Sequence, residues 1–303
     1  MQRSNRSLLI VTSDWHCGHR LGLMNPETVL YEQLIDGKQS TISKVDYTLT
    51  EFQDYLWHNV WMKGVEDIKH LADGCPVAVI VNGDITHGNK YPDQLLTTSI
   101  ANQFLISEKV LQPWIEKIPG FKFLRFAFGT GSHIFSEGTS PVIVSELMRP
   151  KYPDIDIGVV HHGLLDAKGI RVDYAHHGPS QGIREWTEGN QLRYYLKSIM
   201  ARAFKDGEQP PNVVYRSHYH YPVREIVTTF ADNGNGRPRT VESRIYLTPS
   251  MCGMNDYAYQ ATRSTTKLYN GWMVLEIEDG KIKDDYLDDF VWILDLRTKD
   301  TWQ

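Results

Sequence analysis

Residues 8–16 read Leu8-Leu9-Ile10-Val11-Thr12-Ser13-Asp14-Trp15-His16, a short apolar run that ends in a carboxylate and an imidazole. The run has the length and content of a buried strand, and Cys17-Gly18 turns the chain away after it. A strand that empties into Asp-x-His holds two metal-ligating side chains at the edge of a sheet, where open α/β folds carry their ligands. Working outward, the same pattern recurs. Val77 to Val81 is a second apolar strand and runs into Asn82-Gly83-Asp84; Phe121 to Phe128 is a third and runs into Gly129-Thr130-Gly131-Ser132-His133. Ile170 to Ala175 ends in His176-His177-Gly178, and Val213-Val214-Tyr215 is followed by Ser217-His218-Tyr219-His220. Asp14, His16, Asp84, His133, His176, His218 and His220 thus all follow strand-like runs. If extended geometry continues past Tyr215, His218 and His220 share a face, because side chains two apart point the same way.

The segments between these strands alternate with them. Thr48 and Glu51 have capping-box spacing, and Phe52, Tyr55, Leu56, Val60, Val65, Ile68 and Leu71 follow at helical intervals up to Asp73-Gly74. Pro92 is expected to open the next helix, with Leu96, Ile100, Phe104, Leu111 and Ile115 on one face and a kink or break at Pro113. Shorter helices are expected at 140–147 and 192–204, a strand at 156–160, and a hairpin turning at Ala167-Lys168-Gly169. Residues 19–47, with Asn25-Pro26 and Asp36-Gly37, read as a long loop beside the site. Antiparallel strands are expected at 223–230, 239–248 and 271–277, the last closing in a hairpin at Asp279-Gly280. The order strand, helix, strand near the start points to parallel pairing and an α/β (α+β) class. No linker rich in Pro, Gly or Ser divides the chain, so residues 1–303 are expected to form a single domain.

Composition sets the outer limits. The 303 residues, 41% of them hydrophobic, suffice for a large core, and 32 Lys+Arg against 37 Asp+Glu give a net charge of −5. That balance argues against a broad phosphate-backbone footprint, though not against a nucleic-acid end entering a metal site. Cys17, Cys75 and Cys252 are scattered and odd in number, which suggests neither a disulfide framework nor a thiolate zinc site and points to a reducing, cytoplasmic setting. No apolar stretch approaches the roughly 18 residues of a membrane span.

The order Asp-x-His, Gly-Asp, Gly-x-His, His and His-x-His, spread over residues 8 to about 220, resembles the calcineurin-like metallophosphoesterases, with compact phage and prophage enzymes nearest. The resemblance implies a four-layer αββα sandwich of two mixed sheets flanked by helices, with two divalent metal ions (Mn, Fe, Zn or similar) at the strand ends. It implies that Asp14, His16 and His220 bind the first ion and His176 and His218 the second, with Asp84 bridging; His177 competes with His176, which is favoured. The implied activity is hydrolysis of a phosphodiester or phosphomonoester by a metal-bridging hydroxide, with His133 as general acid and no covalent enzyme intermediate. The substrate is a phosphoester, with a nucleotide or nucleic-acid end among the candidates, and diesters are favoured. The chain departs from the family where Ser132 and Ile134 flank His133 in place of an Asn ligand and an acid, and where Ser217 replaces a Gly. Ser132, Thr130 and His177 are the candidates for the missing ligand, Glu137 for the missing acid, and Arg184 and residues 257–267 for substrate contact. The alternatives are a DNA-end nuclease within a larger assembly and a binding scaffold that has lost its metal chemistry. His19, His58, His70, His87, His161 and His162 are read as surface or core residues.

Overall fold

In the computed structural model, β1 (Arg6–Thr12) lies between two partners that make it the centre of a mixed sheet. It pairs in parallel with β4 (Val77–Val81) and antiparallel with β13 (Met273–Glu278). The structure describes residues 5–36, 39–133, 135, 139–182, 184–232, 238–254 and 266–297. Beyond β4 the sheet continues in parallel to β5 (Phe121–Ala127) and β6 (Asp156–Val160), and β14 (Lys281–Asp284) closes the other edge. A second mixed sheet has the order β10 (Val223–Asp232), β11 (Pro238–Leu247), β9 (Val213–Arg216), β8 (Ile170–Tyr174) and β7 (Gly163–Ala167). Within it β8, β9 and β11 run parallel, while the β7–β8 and β10–β11 pairs are antiparallel. The chain is therefore a mixed α/β protein built on two mixed sheets.

The unbroken apolar run of β1 reflects burial of both its faces. Leu8 and Ile10 pack with the helices, in one cluster with Trp57, Trp61, Val65, Trp114, Val144 and Met148. Leu9 and Val11 join Ile80, Met273 and Leu275 against Val172, Tyr174, Val213, Tyr215 and Tyr246 of the second sheet. A third cluster sets Leu192, Leu196 and Met200 of α5 (Asn190–Lys205) on the far face of that sheet, against Val214, Val227 and Ile245. Among the described residues, no helix is long and apolar enough to cross a membrane.

Several local expectations change. Residues 19–47 are not one loop: β2 (Leu30–Asp36) and β3 (Gln39–Val45) form an antiparallel hairpin. Of its apolar side chains among the described residues, Leu30 is buried while Tyr31 and Ile42 are exposed, Ile42 at 75%; the Asn102 side chain fixes the hairpin by pairing with both Tyr31 N and Tyr31 O. The helical segment starts two residues later than Thr48 suggests. Thr50 is the N-cap, its hydroxyl accepting from Gln53 N while Gln53 Oε1 accepts from Thr50 N, and α1 (Glu51–Tyr55) passes through a π-helical stretch (Leu56–Met62) into α2 (Lys63–Ala72). Pro92 does not open a long helix. It starts a single 3₁₀ turn (Pro92–Gln94), and α3 (Ile100–Lys117) begins behind Ser99. Pro113 lies inside α3 without ending it, because Lys109 O, the carbonyl a proline four residues on leaves unpaired, accepts from Asn25 Nδ2 at 3.1 Å. The expected short helix is α4 (Thr139–Met148). Strand β12 (Lys267–Gly271), absent from the sequence reading, pairs with β15 (Val291–Asp295).

Gly64 shows how tightly the helical layer is packed. A Cβ there would lie 2.2 Å from Trp272 Cζ2, whose ring is fully buried. Alanine for glycine in an exposed helix gains about 1 kcal/mol, but overpacking a core costs about 1–3 kcal/mol. Gly64→Ala should therefore lose up to about 2 kcal/mol in urea unfolding, and a gain in stability would contradict this packing.

Candidate metal centre

The strands β1, β4 and β5 are parallel neighbours, so the residues that follow them emerge on one edge of the first sheet. Strands β8 and β9, also parallel, deliver His176, His218 and His220 from the second sheet. The turns after β1 and β4 are joined beyond the strands: Asp14 N donates to Gly83 O, His16 N to Asp84 O, and Cys17 N to Ile85 O, at 3.1, 3.0 and 2.9 Å. Ser217 N donates to His176 O at 2.9 Å and Met251 N to Asp14 O at 3.2 Å, tying in the other turns. This lattice holds Asp14, His16, Asp84, His218 and His220 at positive φ, between 45° and 75°. Such conformations cost of order 1–3 kcal/mol each and cluster at functional sites. They also correct the expectation for His218 and His220. The strand ends at Arg216, and left-handed backbone, not β alternation, sends His220 toward Asp14 and His218 toward Thr130 and His177.

All seven expected residues converge. Asp14 Oδ1 lies 3.0 Å from His220 Nε2, 3.9 Å from His16 Nε2 and 4.0 Å from His176 Nε2, and Asp84 Oδ2 lies 3.1 Å from His176 Nε2. One candidate ligand group is Asp14, His16 and His220; another is Asp14, Asp84 and His176; a third is His176, His177 and His218, the donor atoms of each lying within 4.8 Å of one another. The carboxylate common to the two acidic groups is Asp14, whereas the family resemblance gives the shared role to Asp84. His176 faces the carboxylates, while His177 is exposed and stands outside it, its ring 4.9 Å from that of His176. Ser132 sits at a corner of the turn closed by His133 N donating to Thr130 O at 2.8 Å, and the hydroxyl that enters the ligand cluster is that of Thr130. Glu137 and residues 257–265 lie outside the described residues; Arg184 is exposed, its guanidinium over the Trp186 ring.

The electrostatics ask for positive charge. Asp14 and Asp84 are 0% and 2% exposed, and among the described residues their ion-pair partners are all histidines. Burial opposes the ionisation of both, but His220 and His176 hold Asp14 well below the usual carboxylate range, and His176 lowers Asp84. Burial likewise disfavours the His176 imidazolium, yet Asp84 and Asp14 outweigh it and push that histidine up to about 9. A divalent cation answers the same demand, and mixed carboxylate and imidazole donors suit Mn, Fe or Zn.

Orientation is built in behind the donors. His176 Nδ1 donates to Asn82 O at 2.7 Å, which leaves Nε2 for a ligand. Ser13 Oγ donates to Asp14 Oδ2 at 2.6 Å and lies 2.7 Å from Thr248 Oγ1; Ser217 Oγ accepts from Thr248 Oγ1 and from Asn82 Nδ2. Ser217 is therefore a link in this network. Gly83 and Gly129 are required by contact: a Cβ would meet His176 Nδ1 at 2.3 Å in the first case and Asp84 Oδ1 at 2.1 Å in the second. His133 Nδ1 donates to His87 O at 2.6 Å, which leaves Nε2 as the ring nitrogen with no hydrogen bond among the described residues, and its ring is 4.6 Å from that of His16. His87 and His19 are not remote: His87 Nδ1 lies 3.3 Å from His16 Nδ1, and the His19 and His87 rings are 4.4 Å apart. Only the adjacency of His87 to the Gly83-Asp84 turn could have flagged it.

No protein-family model and no curated protein matches the chain. Among solved structures it is similar to the protein of unknown function AQ665 from Aquifex aeolicus, at 12% identity and a TM-score of 0.27 over 71% of this chain and 80% of that one. A likeness at that level carries no argument about fold or activity.

Manganese at a hundredfold above its dissociation constant should raise the thermal midpoint by about 3–5 °C. Asp84→Asn should lose most of that gain. Equal manganese-induced shifts in parent and variant, followed by calorimetry with and without chelator, would contradict the assignment.

Proposed function

We propose that this chain is a metal-dependent phosphoesterase of the calcineurin-like type, acting on a phosphodiester or phosphomonoester. The observation that carries the proposal is the pair of buried carboxylates, Asp14 and Asp84, ringed by histidines with a further histidine, His133, held beside them. The packing of helices, first sheet, second sheet and α5 in succession supports the finer reading of a four-layer αββα metallophosphatase sandwich. In this reading Asp14, His16 and His220 would hold one divalent cation and His176 and His218 the other, with Asp84 shared between them. The two carboxylates screen the cations from each other, and neutral imidazoles complete the sites without adding negative charge that would repel a phosphate. When bound, two such cations make water a nucleophile near neutral pH and polarise the phosphoryl oxygens.

The protein's own part in the chemistry falls to His133. Its Nδ1 proton is committed to His87 O, so Nε2 is the nitrogen that gives a proton to the leaving oxygen. The backbone beneath it is fixed, since Thr86 Oγ1 donates to His133 O at 2.6 Å and Ser140 Oγ lies 2.7 Å from Thr86 Oγ1. Trp15 and the surrounding apolar core keep the rear of the site dry, which strengthens charge interactions there.

The test is metal analysis of the purified protein together with hydrolysis of bis-nitrophenyl and mono-nitrophenyl phosphate in added manganese. Turnover that requires the metal, faster on the diester, is expected; metal uptake with no hydrolysis of either ester would favour a scaffold and overturn the enzyme reading. His133→Ala should keep its metal and lose a factor on the order of 10²–10⁴ in turnover, least for esters with good leaving groups. Loss of metal with a uniform rate defect would make His133 a ligand instead.

A further inference from the structure

Resting on the dinuclear reading above, we infer that Thr130 Oγ1 is a direct ligand of the second cation, in the role that Ser132 leaves open. Thr130 Oγ1 lies 3.0 Å from Asp84 Oδ2, 3.2 Å from His218 Nδ1 and 3.4 Å from His176 Nε2, and the last is 3.1 Å from Asp84 Oδ2. These are four of the six separations among four donor atoms, and they are nearly equal. In a tetrahedron with edges of about 3.2 Å the centre is about 2.0 Å from every corner, the length of a bond from zinc or a similar ion to nitrogen or oxygen. A hydroxyl can donate one hydrogen bond and accept two, so three contacts are within its capacity; what distinguishes this oxygen is that all three of its neighbours are themselves candidate metal-ligating atoms, at nearly one distance.

Chemistry agrees with the geometry. A threonine hydroxyl that keeps its proton is a neutral oxygen donor, like the amide carbonyl of Asn, so the charge of the site is unchanged by the replacement. The proton has its own acceptor in Asp84 Oδ2, which leaves a lone pair for the cation. The hydroxyl is also aimed by its backbone. Thr130 N donates to Asp84 Oδ1 at 2.6 Å, and the turn closed on Thr130 O by His133 N couples the ligand to the proton donor three residues on. Gly129 permits this approach because any side chain there would collide with Asp84. The same turn explains why Ser132 does not serve: it occupies the corner between the two anchored residues.

Calorimetric titration with manganese and optical titration with cobalt test the inference on the intact chain. The parent and Thr130→Ser should bind two equivalents, whereas Thr130→Val, which keeps the shape but not the hydroxyl, should weaken the second by at least about tenfold. Thr130→Cys loaded with cobalt should gain a sulfur-to-cobalt charge-transfer band in the near ultraviolet that the parent lacks, since a thiolate in the ligand position bonds the metal directly. Unchanged affinity for two equivalents in Thr130→Val, or cobalt uptake by Thr130→Cys without the band, would overturn the inference and leave the phosphoesterase reading standing. A parent that binds no metal would remove that reading itself.

Discussion

Repulsion between the buried carboxylates of Asp14 and Asp84 is the constraint from which the rest of the site follows. Their oxygens lie within 4.8 Å of each other, and at an effective dielectric of about 20 two unit charges that close repel by on the order of 3 kcal/mol. No Lys or Arg among the described residues relieves the pair, so the compensation must come from imidazoles or from a cation between them. A fold selected only for stability would replace such a pair with apolar side chains. Both acids are held at positive φ, with hydroxyls and backbone N–H groups arranged behind them, a strained arrangement of the kind that clusters at functional sites.

The two sheets divide the work of meeting that constraint. The first supplies both acids, His16 and the Thr130 to His133 turn from three adjacent parallel strands; the second supplies His176, His218 and His220 from two. The layer where Leu9, Val11 and Ile80 meet Val172, Val213 and Tyr215 therefore fixes the distance between carboxylates and imidazoles. Beyond that layer the strand ends are joined by hydrogen bonds from turn to turn, of which Asn82 is the centre: its carbonyl orients His176, and its amide donates to both Ala175 O and Ser217 Oγ. The site is thus braced across the sheets as well as along them.

Much of this was legible in the sequence because burial on both faces leaves an unbroken apolar run, and each such run stops abruptly at a carboxylate or an imidazole. Asp14, His16, Asp84, His133, His176, His218 and His220 could be named for that reason. What escaped was set by contacts between residues distant in sequence. The Asn102 clamp makes a hairpin of residues that show no alternation, and Asn25 lets α3 pass through Pro113. His87 looked idle because its partner, His16, is 71 residues away. Ser132 drew attention by its position beside His133, whereas the hydroxyl that reaches Asp84, His176 and His218 is that of Thr130. The left-handed backbone of His218 and His220 left no mark that a period-two reading could register.

The central claim is that divalent cations, not protons alone, balance Asp14 and Asp84 in the working protein. Diffraction from crystals grown with manganese, recorded at the manganese absorption edge, addresses it directly. The account predicts two anomalous peaks, one within bonding distance of Asp14, His16 and His220 and the other of Asp84, His176 and His218. A map without anomalous density among these residues, with His176 still paired directly to Asp84, would contradict it.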